Sequence, residues 1–156
     1  MSAENIPYRR ARFSTRLPAG RLYTGAHSWL EKEGEGLWRI GLTRFATRML
    51  GELVEFGFEV KPGDSVSVGQ AIGSVEGFKA LSQIYSAAGG TFAGDNPGLR
   101  EDITRLDTDP YGEGWLYRVK GNPDTTAVDV HGYIAILDAT IDRMLEKQKE
   151  GQEGGG

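Results

Sequence analysis

The chain has 156 residues, 38% of them hydrophobic and 26% charged; it is too apolar to stay disordered, has no run of ~20 apolar residues to span a bilayer, and has the length of one domain that buries roughly 70% of its unfolded surface. The absence of cysteine excludes a disulfide framework, a thiolate metal site and a cysteine nucleophile, and leaves any redox chemistry to a cofactor. The net charge of −4 is uneven, because residues 1–21 carry Arg9, Arg10, Arg12, Arg16 and Arg21 against Glu4 alone, or +4, which leaves −8 for the remainder; so acidic a body argues against a nucleic-acid partner.

Residues 1–21 read as a basic N-terminal arm, either ordered on the domain through Phe13, Leu17 and Pro18 or serving as a transit segment. The domain is expected over 22–149. The 23 glycines, about twice the usual share, imply tight turns between short strands. Leu22 to Thr24, Ser28 to Leu30 and Leu37 to Ile40 read as strands, the last two a hairpin through the Glu33 to Gly36 turn. Thr43 is an N-cap and Gly51 a stop for a helix over Arg44 to Leu50, with Phe45, Ala46, Met49 and Leu50 on one face. Leu53 to Val60 is extended, Lys61 to Asp64 is a turn, and Ala71 to Val75 and Ala80 to Tyr85 are strands either side of Lys79. Thr91 to Asn96 is weakly patterned, Pro97 opens a helical turn, Asp109 to Gly114 is a loop and Trp115 to Val119 a strand. From Asp129 to about Lys149, Val130, Tyr133, Ile134, Leu137, Ile141, Met144 and Leu145 recur at amphipathic helical spacing. Residues 150–156 read as a disordered tail.

Little in this chain suggests catalysis of its own. His27 and His131 are far apart and belong to no metal-spaced cluster. His27 reads as a packed strand residue and His131 as a surface residue. Gly34-Glu35-Gly36 lacks the third glycine and the helix of a dinucleotide site, and no strand, elbow and helix surround a nucleophilic serine.

One stretch carries a different message. Val75-Glu76-Gly77-Phe78-Lys79-Ala80, preceded by Gly63-Asp64-Ser65-Val66 and Gly69-Gln70-Ala71-Ile72, resembles the lipoyl-lysine hairpin of the glycine cleavage H-protein family. Further matches follow in order: His27-Ser28-Trp29, Ile40-Gly41-Leu42-Thr43 with Ala46, Leu50-Gly51-Glu52-Leu53-Val54, Tyr85-Ser86 with Gly90, and Asp109-Pro110-Tyr111-Gly112-Glu113-Gly114-Trp115-Leu116. The likeness spans about Leu22 to Lys120. It implies a mostly β, barrel-sandwich hybrid fold with a short helix and a C-terminal amphipathic helix. It also implies lipoic acid amide-linked to Lys79 by a lipoate ligase or lipoyl transferase, with Glu76, Gly77, Phe78, Ala80 and Gly90 marking and shaping the hairpin. A modifying enzyme can reach the ε-amine of a lysine at a tight turn between two strands, which suits the residues either side of Lys79.

By the same resemblance the chain is no enzyme but a carrier. Its arm shuttles intermediates, foremost the aminomethyl group of glycine cleavage, among glycine decarboxylase, aminomethyltransferase and dihydrolipoyl dehydrogenase. It has no nucleic-acid or membrane partner and is a monomer when free. Its place is the bacterial cytoplasm, or the mitochondrial matrix if the arm is a transit segment. The departures gather where the family's arm cleft is polar, beside His27: Ser28 replaces a Glu, Gln83 an Asp, Phe45 a His or Tyr, and Arg44 an Asp. A cationic amine loses charge-assisted partners there. A lipoate carrier of another pathway, such as bacterial sulfur oxidation, and an unmodified interaction module are the alternatives. Biotin carriage is disfavoured because Phe78 and Ala80, not methionines, flank the lysine.

Overall fold

In the computed structural model, which describes residues 4–154, the chain begins with an antiparallel hairpin of β1 (Asn5–Arg10) and β2 (Phe13–Pro18). β3 (Leu22–Tyr23), β4 (Ser28–Gly34) and β5 (Leu37–Leu42) follow as a meander, the latter two joined at the expected glycine turn. Helix α1 (Arg44–Leu50) starts where the Thr43 hydroxyl accepts from Ala46 N–H and ends where Gly51 takes φ +77°, a conformation that glycine adopts without steric cost. β6 (Leu53–Phe58), β7 (Ser65–Val66), β8 (Ala71–Gly77), β9 (Leu81–Tyr85) and β10 (Ala88–Asp95) come next. Two helical turns, α2 (Gly98–Glu101) and α3 (Arg105–Thr108), lead to β11 (Tyr117–Pro123) and helix α4 (Val130–Gly154).

Six strands pair in the order β3, β4, β5, β11, β10, β7, and three in the order β6, β8, β9. Leu30, Ile40, Ile72, Val75, Ile84, Phe92, Leu116 and Val119 belong to one buried core to which both sheets contribute. This is the expected barrel-sandwich class. A second core joins the N-terminal hairpin to the helices: Tyr8, Phe13 and Leu17 pack with Tyr23, Trp29, Phe45, Tyr133, Leu137 and Ile141. The Tyr8 hydroxyl donates to Asp138 at 2.7 Å, and Asp129 caps α4 by accepting from Gly132 N–H at 2.9 Å. No helix among the described residues is long and apolar enough to cross a membrane.

Three expectations need correction. Of the weakly patterned stretch Thr91 to Asn96, all but Asn96 belongs to the eight-residue strand β10, which pairs with β11 on one side and β7 on the other. Its glycines aid that pairing, since a Cβ on Gly90 would lie 2.9 Å from Gly121 Cα and collide with the Lys120 carbonyl oxygen. The strand expected over Trp115 to Val119 begins at Tyr117 and runs to Pro123. The turn α3 follows Asp102, whose carboxylate accepts from the Thr104 amide at 3.0 Å. Finally, α4 does not stop near Lys149 but continues to Gly154, because Glu146 to Glu150 are good helix formers and no capping signal interrupts them; 155 and 156 lie outside the described residues.

Candidate functional site

Lys79 stands at the tip of the β8–β9 hairpin. The register sets Glu76 opposite Leu81, Val75 opposite Ser82 and Ser74 opposite Gln83, leaving Phe78, Lys79 and Ala80 to make the turn, which Gly77 N–H closes on Ala80 O at 2.8 Å. The tip does not float. Phe78 N–H donates to Glu52 O at 2.7 Å and Lys79 N–H to Leu50 O at 2.9 Å, both in the segment that leaves α1. A Cβ on Gly77 would lie 2.7 Å from the Leu50 carbonyl carbon and strike its oxygen, and one on Gly51 would lie 2.8 Å from Lys79 Cγ. Two glycines therefore let the hairpin rest directly on the end of α1. Lys79 is exposed and belongs to no ion pair among the described residues. Beside it Phe78 is 84% exposed, an apolar ring held in water.

Next to the tip opens a cleft of about 450 Å³ with His27, Ser28, Phe45, Met49, Ala80 and Gln83 in its walls. The fold thus gathers four residues, His27, Ser28, Phe45 and Gln83, from three separate parts of the chain. No Asp, Glu, Lys or Arg lines the cleft among the described residues. Each departure from the polar pattern has a local setting. The Ser28 hydroxyl lies 2.6 Å from that of Thr24, Phe45 is buried edge-on against Phe13 at 5.4 Å between ring centres, and Gln83 is exposed on β9. Arg44 turns away from the cleft to Asp107.

His27 precedes β4 with φ +66°, a left-handed conformation in which His is several-fold enriched among non-glycine residues. Its Nδ1 lies 2.8 Å from the Tyr133 hydroxyl, which lies 2.7 Å from Thr43 Oγ1. With Thr43 donating to Tyr133 and Tyr133 donating to Nδ1, both buried hydroxyl protons are used and the ring proton sits on Nε2. Burial pushes the imidazole down to about 4 and the Tyr133 phenol up, so both are neutral near pH 7. His131 is exposed on α4.

Gly90 is not part of the lysine hairpin. It lies in β10 of the other sheet, opposite Gly121 and Val66, where its lack of a side chain serves strand packing. Glu76 is a half-buried strand residue whose partner on β6 is Glu55. Met49 lines the cleft and Tyr133 and Phe13 support its walls from behind; of these, the sequence marks Tyr133 only by its place on the periodic face of α4.

The glycine cleavage H-protein family model matches residues 21–132. The chain belongs to the glycine cleavage H-protein family. H proteins of a Shewanella species and of Pseudoalteromonas atlantica are 33% and 35% identical to it over 125 residues, covering 78% and 79% of this chain and 96% and 90% of theirs. The crystal structure of a glycine cleavage system H protein from Mycobacterium marinum superposes with a TM-score of 0.69 at 31% identity, covering 76% of this chain and 97% of that one. The residues matched by the family model contain the Lys79 hairpin and the cleft; β1, β2 and α4 beyond His131 and Gly132 lie outside that match.

Proposed function

We propose that the chain is the lipoyl carrier subunit of a glycine cleavage system, with lipoate in amide linkage to Lys79 Nζ. The observation that carries this reading is an exposed lysine at a fixed hairpin tip, beside an apolar cleft, in a chain of this family. The residues suit the group. The lysine's amine is open to a lipoate ligase or lipoyl transferase, and the cleft offers apolar surface against which each methylene withdrawn from water contributes about 0.8 kcal/mol. When bound, the cyclic disulfide of lipoate supplies reversible two-electron chemistry and a thiol for group transfer, so the missing cysteines are no obstacle.

The chain's own residues position and shelter. The backbone hydrogen bonds to Leu50 and Glu52 hold the lysine's origin still. Phe45, Met49 and Ala80 exclude water from one side of the cleft, and His27 offers an Nε2–H donor without charge. Proposed clients are glycine decarboxylase, aminomethyltransferase and dihydrolipoyl dehydrogenase, met in the bacterial cytoplasm.

Co-expression with a lipoate ligase should raise the intact mass by one lipoyl group, mapped to Lys79 and absent from Lys79→Arg. The lipoylated protein should then support glycine and bicarbonate exchange by glycine decarboxylase. An unmodified chain after exposure to several ligases would refute carriage. A fully lipoylated chain without exchange would refute the glycine pathway and favour another lipoate-dependent one.

A further inference from the structure

The N-terminal hairpin precedes the matched region, and its two faces differ in chemistry. The register puts Ile6 with Leu17, Tyr8 with Thr15 and Arg10 with Phe13 on the inner face. There Tyr8, Phe13 and Leu17 are buried, while Arg10 makes two hydrogen bonds of 2.9 Å to Asp142 on α4. The outer face pairs Arg9 with Ser14 and Pro7 with Arg16, and Arg12 stands in the connecting turn. Arg9, Arg12 and Arg16 are exposed, and none has an ion-pair partner among the described residues. The fold therefore employs the inner arginine and leaves three guanidiniums free on one short strip.

Shallow grooves flank Arg16, one shared with Pro7, Arg9 and Ser14 and the other with Tyr111 and with Asp107, whose carboxylate is taken up by Arg44. The hairpin's opposite, inner face reaches the cleft wall, since Phe13 packs on Phe45, which lines it. Guanidiniums gathered without ion pairs of their own repel one another and suit planar, bidentate recognition of carboxylates. An extended polyanion laid on the strip would run onto a body that carries −8; a discrete acidic patch on a folded protein would not.

We propose that the outer face of the β1–β2 hairpin docks a client enzyme through a patch of Asp and Glu carboxylates on that client. The proposal rests on the carrier reading above. The test uses the full chain without lipoate and the three proposed clients from the same genome. Dissociation constants are measured by calorimetry at low and moderate salt for the parent and for R9E/R12E/R16E, with melting curves to verify folding. R9Q/R12Q/R16Q serves as a milder variant should charge reversal impair folding.

At least one client should bind the parent, and its Kd should weaken ~10-fold or more in the charge-reversed chain, with an intermediate loss for the Gln variant. The parent's Kd should rise with salt more steeply than the variant's, and the KM of the lipoylated carrier should rise with kcat unchanged. Equal Kd values for every client the parent binds would overturn the docking proposal while leaving the carrier reading intact. A lipoylated parent that no client binds or turns over would overturn both. Binding of phosphatidylserine vesicles or a DNA duplex through these arginines, with client affinities unmoved, would overturn the choice of an acidic protein.

Discussion

Gly77→Ala isolates the contact that seats the lysine hairpin. The new Cβ would lie 2.7 Å from the Leu50 carbonyl carbon, whereas carbon atoms rest ~3.5–4.0 Å apart, so the tip must lift by roughly 1 Å. Overpacking of this kind costs ~1–3 kcal/mol. Lifting also stretches the hydrogen bonds from Phe78 to Glu52 and from Lys79 to Leu50, each worth ~0.5–1.5 kcal/mol. A total loss of about 2–4 kcal/mol lowers Tm by roughly 5–12 °C in a chain of this size. Differential scanning calorimetry reads the stability. A time course of lipoylation by purified ligase below the transition reads the presentation of Lys79, which should slow severalfold. Gly57→Ala is the control, because its Cβ meets nothing within 4 Å and Tm should move by no more than about 2 °C. If Gly77→Ala melts with the parent and is lipoylated at the parental rate, the hairpin is not seated on α1 in the way described.

Other substitutions test the neighbouring contacts. Gly90→Ala, which forces β10 away from β11, should destabilise the fold by ~1–3 kcal/mol, while the native fraction is lipoylated at the normal rate; a selective lipoylation defect would put Gly90 back in the hairpin's service. His27, held down to about 4 by burial, takes up its proton more readily when unfolded, near pH 6.5. Stability should therefore be full above about pH 6.5 and fall by on the order of 2–3 kcal/mol as pH drops through about 4, a slope that denaturant titrations should find missing in His27→Gln. Tyr133→Phe removes hydrogen bonds to His27 and Thr43 and should cost about 1–2 kcal/mol; an unchanged urea midpoint would mean that the hydroxyl is dispensable. Phe78→Ser should leave Tm within about 2 °C yet slow lipoylation, and equal ligase rates would dismiss Phe78 as a recognition element.

Where local chemistry decides the structure, the sequence was readable. Thr43 and Gly51 bracket α1 because a hydroxyl cap and a left-handed glycine act within a few residues, and the α4 stripe follows from helical geometry alone. The Lys79 turn and the four cleft residues His27, Ser28, Phe45 and Gln83 also come together, although His27 and Gln83 are brought there by tertiary folding. Non-local pairing was harder to read. The glycines that make β10 look irregular become favourable once β11 and β7 lie alongside, and Gly90 acquires its purpose from Lys120 and Gly121. Likewise β1 and β2 gain their inner face from α4, more than a hundred residues later in the chain, as the Tyr8 to Asp138 bond illustrates.

The seating of the hairpin on α1 also fixes where movement can occur. The cleft wall containing Phe45 and Met49 and the platform beneath Lys79 are parts of the same short helix and its exit. Platform and wall share one frame, so reach must come from the single-bond rotations of the lysine side chain and whatever is joined to it. The pivot is then chemical, at the side chain's own bonds, and the backbone below it acts as a fixed bearing. A client that levers the arm from the cleft need not bend the protein to do so.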